Sequence, residues 1–209
     1  RVSSLLSSGD HKAVNKMHQM SFLVYNLVIF PIIAGMLIVN DDFVQFFLGK
    51  DFQDARYAIA IMIFRMFFIG WTNIMGIQIL IPHDKNKEFM LSTTIPAIVS
   101  VGLNVLFLPH FGFIGAAIVS VLTESLVWLI QLYYTRYYLK EVPIIGSMTK
   151  IMFASAVMYG LLLLVKPFLH FTPTLNVLVY AVLGGIIYLI AILSLRVVDV
   201  KELKQIFKK

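Results

Sequence analysis

Two ionisable side chains, Arg65 and Glu124, lie inside long apolar runs of the sequence. Arg65 belongs to the run YAIAIMIFRMFFIGWTNIMGIQILI at residues 57–81. A charge in the middle of a membrane helix costs about 2.5–3.5 kcal/mol on insertion scales, so it needs a partner, a water-filled cavity or a function. A guanidinium suits phosphate because its planar fork donates two parallel hydrogen bonds and stays charged. Glu124 could pair with Arg65 or bind a coupling proton or cation.

Amide side chains in or at the ends of the apolar runs are weaker candidates. Unpaired amides are costly in lipid, so each should contact another helix or a polar cavity. On an α-helix, Asn73 and Gln78 would lie about 80° and 220° around the axis from Arg65, so the three do not form one polar stripe. With interhelical packing as the alternative for each amide, the candidates for substrate binding or coupling are Arg65, Glu124, Asn73, Gln78 and Asn104.

The sequence shows no pattern typical of an enzyme or a metal site. Its five histidines lie near the ends of apolar runs or in links. No two of them are spaced i, i+4 with a carboxylate nearby, as a zinc site would favour. The absence of cysteine excludes thiolate nucleophiles and disulfides within these residues. We therefore expect neither a catalytic residue, nor a cofactor, nor a metal, although membrane polymerases and acyltransferases can have dispersed sites.

The composition predicts a membrane protein, since 59% of residues are hydrophobic and 13% are charged. Soluble domains usually carry about 25% charged residues. Windows of about 20 apolar residues, each long enough to cross a bilayer as a helix, occur six times in the sequence. The fold class is therefore predicted to be an all-α integral membrane protein with six transmembrane helices. The predicted spans are residues 20–39, 57–81, 89–109, 112–135, 148–168 and 174–195.

The distribution of Lys and Arg predicts the topology. If the first residues are cytoplasmic, that side holds thirteen of the 17 Lys and Arg, the other side holds three, and Arg65 lies in the membrane. By the positive-inside rule both ends are cytoplasmic, and the net charge of +6 needs no nucleic-acid partner.

The link NDDFVQFFLGKDFQDAR, rich in Asp and Phe, predicts a short helix at the membrane interface. The ending DVKELKQIFKK predicts an amphipathic basic helix on an anionic leaflet.

Four runs taken together resemble a known family: PIIAGMLIV, FFLGKDFQDARYAIAIMIF, GIQILIPHDKNKEFMLST and GLNVLFLPHFGFIGAAIVSVLTES. In order and spacing they are similar to the later half of polysaccharide and teichoic-acid repeat-unit flippases. These Wzx-type proteins belong to the polysaccharide transporter family of the multidrug/oligosaccharidyl-lipid/polysaccharide (MOP) exporter superfamily. The matching positions are Pro31, Gly35, Gly49, Phe52, Ala55, residues 78–82, Lys85, Lys87, Asn104, Gly112, Gly115, Ala116, Ala117 and Glu124.

The resemblance implies a two-lobed, MATE-like transporter with an alternating-access cavity, of which this chain is the later part. Two partners are then expected: the missing amino-terminal lobe of the same protein, and the membrane lipid that surrounds the complete transporter. The implied substrate is an undecaprenyl-diphosphate-linked oligosaccharide, flipped across the bacterial cytoplasmic membrane for cell-surface polysaccharide biosynthesis. The expected parts are a cytoplasmic segment at 1–19, four helices of the second lobe at 20–140, two additional helices at 141–195 and a basic tail at 196–209.

Three other functions remain open on the sequence. A proton- or sodium-coupled drug or metabolite antiporter would favour an acidic cavity, with Glu124 facing the cargo. A membrane-embedded polysaccharide polymerase or acyltransferase should carry a large external loop with clustered His, Arg or Asp, and the external links here lack one. A purely structural subunit would use Arg65 and Glu124 to neutralise each other.

Overall fold

The computed structural model describes residues 2–169 and 171–197, and over these residues the chain is helical without a β-strand. The all-α prediction is confirmed. The basic tail predicted at 196–209 lies almost wholly outside the described residues. Five segments of this described part are long and apolar enough to cross a membrane: His11–Phe47, Ala55–His83, Asn86–Leu139, Ile145–Phe168 and Pro173–Ser194.

Seven α-helices make up most of the described chain. A π-helix, Ile74–Leu80, follows α4, and three-residue 3-10 turns occur at Lys50–Phe52, Ile81–His83 and Lys166–Phe168. The α-helices are α1 (Val2–Ser7), α2 (His11–Phe47), α3 (Ala55–Met62), α4 (Arg65–Asn73), α5 (Asn86–Leu139), α6 (Ile145–Val165) and α7 (Pro173–Ser194).

Helix α2 is longer than the predicted span 20–39. No glycine or proline interrupts residues 36–48, so the helix continues through the acidic positions and ends before Gly49, whose φ is 88°. The prediction of a separate interfacial helix in this link is wrong. The phenylalanines at 43, 46 and 47 form the last turn of α2, and Phe52 belongs to a 3-10 turn.

Helix α5 is broken at Gly112, which has φ 54° and ψ −136°, a conformation favoured by glycine. The break separates two arms, residues 86–111 and 113–139. An unbroken helix of 54 residues would be about 80 Å long, more than twice the apolar thickness of a bilayer. The break falls at the first residue of the predicted span 112–135, next to the boundary with the span 89–109.

The described chain divides into two compact units. In the first, residues 2–25 and 54–144, helices α3 and α4 and the π-helix pack on α5. Aromatic rings form much of its interior, with Phe22 and Trp71 at a centroid distance of 4.7 Å and Trp71 and Trp128 at 6.2 Å.

The second unit comprises residues 26–53 and 145–197, in which α6 packs on α7. Side chains also bond helix backbones there: Lys166 Nζ donates to the Ile38 carbonyl at 3.0 Å, and the Tyr188 hydroxyl donates to the Leu27 carbonyl at 2.8 Å. The sequence-based division at residue 140 concerns the larger parent fold and stays a prediction.

Candidate functional site

Arg65 and Glu124 form an ion pair in the first unit. Arg65 Nη2 donates to Glu124 Oε1 at 2.8 Å, and the side chains are 36% and 18% exposed, respectively. Arg65 begins α4 directly after a tightened turn in which the amide of Phe64 bonds the carbonyl of Ile61. Glu124 lies in the 113–139 arm of α5. The structure therefore joins the two charged groups that the sequence singles out.

The guanidinium keeps unused hydrogen-bonding capacity. Arg65 Nε is buried and has no hydrogen-bond partner among the described residues. Buried polar atoms are nearly always satisfied by protein or water, so this N–H is a donor that the ion pair leaves unsatisfied. The ion pair satisfies one end of the guanidinium and leaves this N–H available.

An aromatic residue lies one turn from each member of the ion pair. Phe68 and Trp128 lie one turn from Arg65 and Glu124 on their respective helices, and their ring centroids are 5.7 Å apart. The partial burial of Glu124, at 18% exposure, strengthens its attraction to Arg65, whereas the 36% exposure of Arg65 keeps the pair weaker than a fully buried one.

Glu124 also lines a cavity of about 320 Å³, which we name the Glu124 cavity. Gln131 Nε2 donates to Ser92 Oγ at 3.2 Å, while Gln131 Oε1 is buried and has no partner among the described residues. The cavity thus presents a carboxylate and an unused amide oxygen, both acceptors. Arg65 is not among its lining residues, which are Thr72, Asn73, Ile77, Phe89, Thr93, Ala97, Thr123, Glu124, Val127 and Gln131.

Asn73 and Gln78 share a second cavity of about 650 Å³, together with Ser21 and Tyr25. Gln78 Oε1 accepts a hydrogen bond of 2.7 Å from Ser21 Oγ, and Asn73 Nδ2 donates to the Ile69 carbonyl at 2.9 Å. An α-helix would point residues five apart in different directions. The π-helix that begins at Ile74 bonds i to i+5 and so brings Asn73 and Gln78 to the same side.

Asn104 does not join the other candidates. Its Nδ2 donates to the carbonyl of Ser100, one turn earlier on the same helix, at 2.9 Å. It lines neither of the two cavities. The structure thus brings Arg65, Glu124 and Asn73 into one neighbourhood, places Gln78 beside Asn73, and leaves Asn104 apart.

Gln131 and Thr72 are cavity residues that the sequence-based candidates omit. Gln131 follows Glu124 by seven residues and Thr72 follows Arg65 by seven, a spacing that returns to the same helical face. This i, i+7 pattern was present in the sequence. A search for polar residues at that spacing from each buried charge would have found both.

No cluster of three or more His, Asp or Glu residues suited to a metal ion occurs within 2–169 and 171–197. The cavity walls offer hydroxyl, amide and carboxylate groups instead. Such groups bind hydroxylated or cationic ligands, or a proton, without a resident metal.

Comparison with known proteins finds one relevant relative, an uncharacterized membrane protein of Methanocaldococcus jannaschii. It is 23% identical over a 215-residue alignment that covers 99% of this chain and 40% of the relative. This chain is a multi-pass membrane protein. It spans about two fifths of the length of that relative. No protein-family model matches the chain, and no solved structure matches it.

Proposed function

We propose that this chain is part of a transporter that flips undecaprenyl-diphosphate-linked oligosaccharide across a bacterial cytoplasmic membrane. The observation that carries the proposal is the ion pair of Arg65 and Glu124 inside apolar segments, with Glu124 also facing a polar cavity. Ionisable residues in membrane segments are rare and mark substrate or ion pathways. The resemblance of residues 1–140 to repeat-unit flippases supplies the substrate class.

In the proposed mechanism, which we call the latch mechanism, the ion pair must open before the substrate binds Arg65. Arg65 is held by Glu124 and does not line the Glu124 cavity, so a diphosphate reaches the guanidinium after the pair opens. The orphan Arg65 Nε offers a second donor to such an anion. The released Glu124 then takes up a proton or cation, which keeps the low-dielectric region close to neutral.

The proposal includes six membrane crossings. The arms 86–111 and 113–139 of α5 are each long enough to span about 30 Å of hydrocarbon, and they are separated at Gly112. With the other four long segments, this arrangement returns the chain to the side where it starts. The excess of Lys and Arg then places both ends of this chain in the cytoplasm.

A cation-coupled antiporter is the second candidate, and one observation favours it. Glu124 lines the cavity while Arg65 does not, so the cavity wall is acidic rather than basic. A cationic drug or metabolite would be attracted to such a wall. A purely structural role is the third candidate, because Arg65 and Glu124 neutralise each other in the ion pair. The polymerase or acyltransferase lacks a comparable observation.

Export assays of the full-length protein separate these functions. Arg65→Ala and Glu124→Gln are expressed in a host strain lacking the natural gene, and surface polysaccharide and lipid-linked precursors are quantified. A flippase predicts loss of surface polysaccharide and accumulation of precursor in both variants. An antiporter predicts normal polysaccharide in both and loss of cation-driven drug efflux in Glu124→Gln. Normal export and normal efflux at wild-type expression would remove the pair from either mechanism.

A further inference from the structure

A third polar cavity of about 670 Å³ belongs to the first unit and shares no lining residue with the Glu124 cavity. The first turns of α2, the 3-10 turn after the π-helix, the end of α5 and the link to α6 together form its wall. We name it the histidine cavity. It is lined by His11, Val14, Asn15, His18, His83, Tyr137, Tyr138, Lys140 and Glu141.

The hydrogen-bond donor and acceptor of the His18 ring can be assigned. The side chain is buried at 1% exposure, and its Nε2 lies 3.2 Å from the carbonyl oxygen of Gln78. Because a carbonyl only accepts, Nε2 carries the proton and Nδ1 of the neutral ring is an acceptor. That Nδ1 is buried and has no hydrogen-bond partner among the described residues. A ligand that satisfies it must donate, as a hydroxyl does.

His83 repeats the same arrangement. Its Nδ1 lies 2.7 Å from the carbonyl oxygen of Ile79, so its proton is also committed to the backbone and Nε2 is the remaining acceptor of the neutral ring. The ring packs on Tyr138 at a centroid distance of 4.0 Å. Two imidazoles thus line one cavity with their proton-bearing nitrogens turned to helix carbonyls.

The charged groups of the cavity are Lys140 and Glu141. Asn15 Nδ2 donates to Glu141 Oε2 at 3.1 Å, so the carboxylate already has a hydrogen-bond partner. Lys140 is exposed, and no ion pair of its ammonium is found with the described residues. An ammonium in this position can bind an anionic group such as a phosphate.

We propose that the histidine cavity binds a phosphorylated polyol, with the phosphate on Lys140 and the hydroxyls on His18 and His83. The ligand is either a soluble sugar or glycerol phosphate or the headgroup of a lipid such as phosphatidylglycerol. This chemistry matches the cavity, which combines one cation with two imidazole acceptors and two tyrosines. The site is separate from the Glu124 cavity and does not depend on the proposed transport function.

Calorimetric titration of the full-length protein in phosphatidylcholine nanodiscs tests the site, with glycerol phosphate, inorganic phosphate and glycerol as probes. The hydroxyl contacts should make glycerol phosphate bind about 5- to 10-fold more tightly than inorganic phosphate. Lys140→Gln should weaken both phosphates about tenfold or more, since it removes a charge-assisted contact. Lys16→Gln is the matched control, because Lys16 lies on α2 beside Asn15 but outside the cavity wall.

His18→Phe tests the hydroxyl contact separately. It keeps the ring volume and removes one of the two acceptors, so it should lower the affinity for glycerol phosphate part of the way toward that for inorganic phosphate. Because this variant also loses the bond to Gln78, its melting temperature is measured alongside, and His83→Phe is the substitute if His18→Phe unfolds.

Nanodiscs containing phosphatidylglycerol identify the source of the ligand. Competition of this lipid with glycerol phosphate assigns the lipid headgroup, and the absence of competition assigns a soluble ligand. Failure of glycerol phosphate to bind, or equal binding by wild type, Lys140→Gln and the histidine variants, would overturn the proposal.

Discussion

Gln131 Nε2 donates a hydrogen bond of 3.2 Å to Ser92 Oγ, although the two residues are 39 positions apart in what is otherwise one helical segment. Ser92 precedes Gly112 by 20 residues and Gln131 follows it by 19. The bond therefore joins positions at matching distances from the break, as expected for two antiparallel arms. Both residues are buried, at 0% and 1% exposure, so the contact lies between the arms rather than on the surface.

The first prediction concerns this hairpin. Since the chain contains no cysteine, Ser92→Cys and Gln131→Cys can be introduced together without background thiols. A disulfide needs Cα atoms within about 7 Å, and a glutamine side chain reaches farther than a cysteine, so the reagent is a short bismaleimide. It should bridge the two thiols with a single linker, which mass spectrometry of the intact chain measures.

A displaced pair provides the control for the cross-link. Ser120 lies 11 residues before Gln131 on the same arm, about 16 Å along the helix. Ser92→Cys with Ser120→Cys should not be bridged and should carry two separate linkers. Equal cross-linking of both pairs would mean that the arms have no fixed register.

The second prediction tests the backbone at the break. Gly112 has φ 54° and ψ −136°, so Gly112→Ala should destabilise the protein by about 1–3 kcal/mol through backbone strain. Gly102→Ala in the 86–111 arm is the control, because a Cβ there meets nothing within 4 Å and alanine favours the helix by about 1 kcal/mol. Thermal unfolding in detergent measures both. A Gly112→Ala variant as stable as wild type would show that residue 112 can adopt an ordinary helical conformation.

The third prediction concerns the packing of Tyr25 on Gly70. A Cβ built on Gly70 would overlap the ring of Tyr25, and the Tyr25 hydroxyl donates to the carbonyl of Met66. Gly70→Ala should therefore displace the ring and destabilise the protein by about 1–3 kcal/mol. In a Tyr25→Ala background the same substitution should be neutral or stabilising, which a double-mutant cycle of unfolding free energies measures. Additive effects would show that the two residues do not contact each other.

The sequence predicts the membrane class and most segment positions because apolar runs of about 20 residues have few other structures available to them. It does not predict where α2 ends. The acidic positions Asp41 and Asp42 suggest a loop, but charge alone does not break a helix that lacks glycine or proline. The break at Gly112 is predictable, since Pro109 and a glycine fall between two apolar runs of span length.

The candidate site is predicted in part. The pairing of Arg65 with Glu124 follows from the cost of an isolated charge in lipid, whichever function the pair has. The shared cavity of Asn73 and Gln78 does not follow, because helical angles computed at 3.6 residues per turn fail across a π-helix. The helix propensities of residues 74–80 do not predict a change from an α-helix to a π-helix. The structure shows this change, and the sequence does not.

The last prediction separates a structural ion pair from a functional one. Glu124→Gln leaves Arg65 without its carboxylate and should destabilise the protein by about 1–3 kcal/mol. Breaking a fully buried ion pair costs about 3–5 kcal/mol of stability. The expected cost is smaller here because the Arg65 side chain is 36% exposed. The double variant Arg65→Gln with Glu124→Gln should recover much of that stability, because no unpaired charge remains.

Exchanging the two charges completes the test of the ion pair. Arg65→Glu with Glu124→Arg keeps an ion pair but places the cation in the wall of the Glu124 cavity and the carboxylate beside α3. If the pair serves stability, the exchanged protein should melt near the wild-type temperature and transport normally. If the guanidinium binds the anionic head of the substrate from the position of Arg65, the exchanged protein should fold and yet fail to export, as measured by precursor accumulation. The latch mechanism requires the second result, and normal export by the exchanged protein would contradict it.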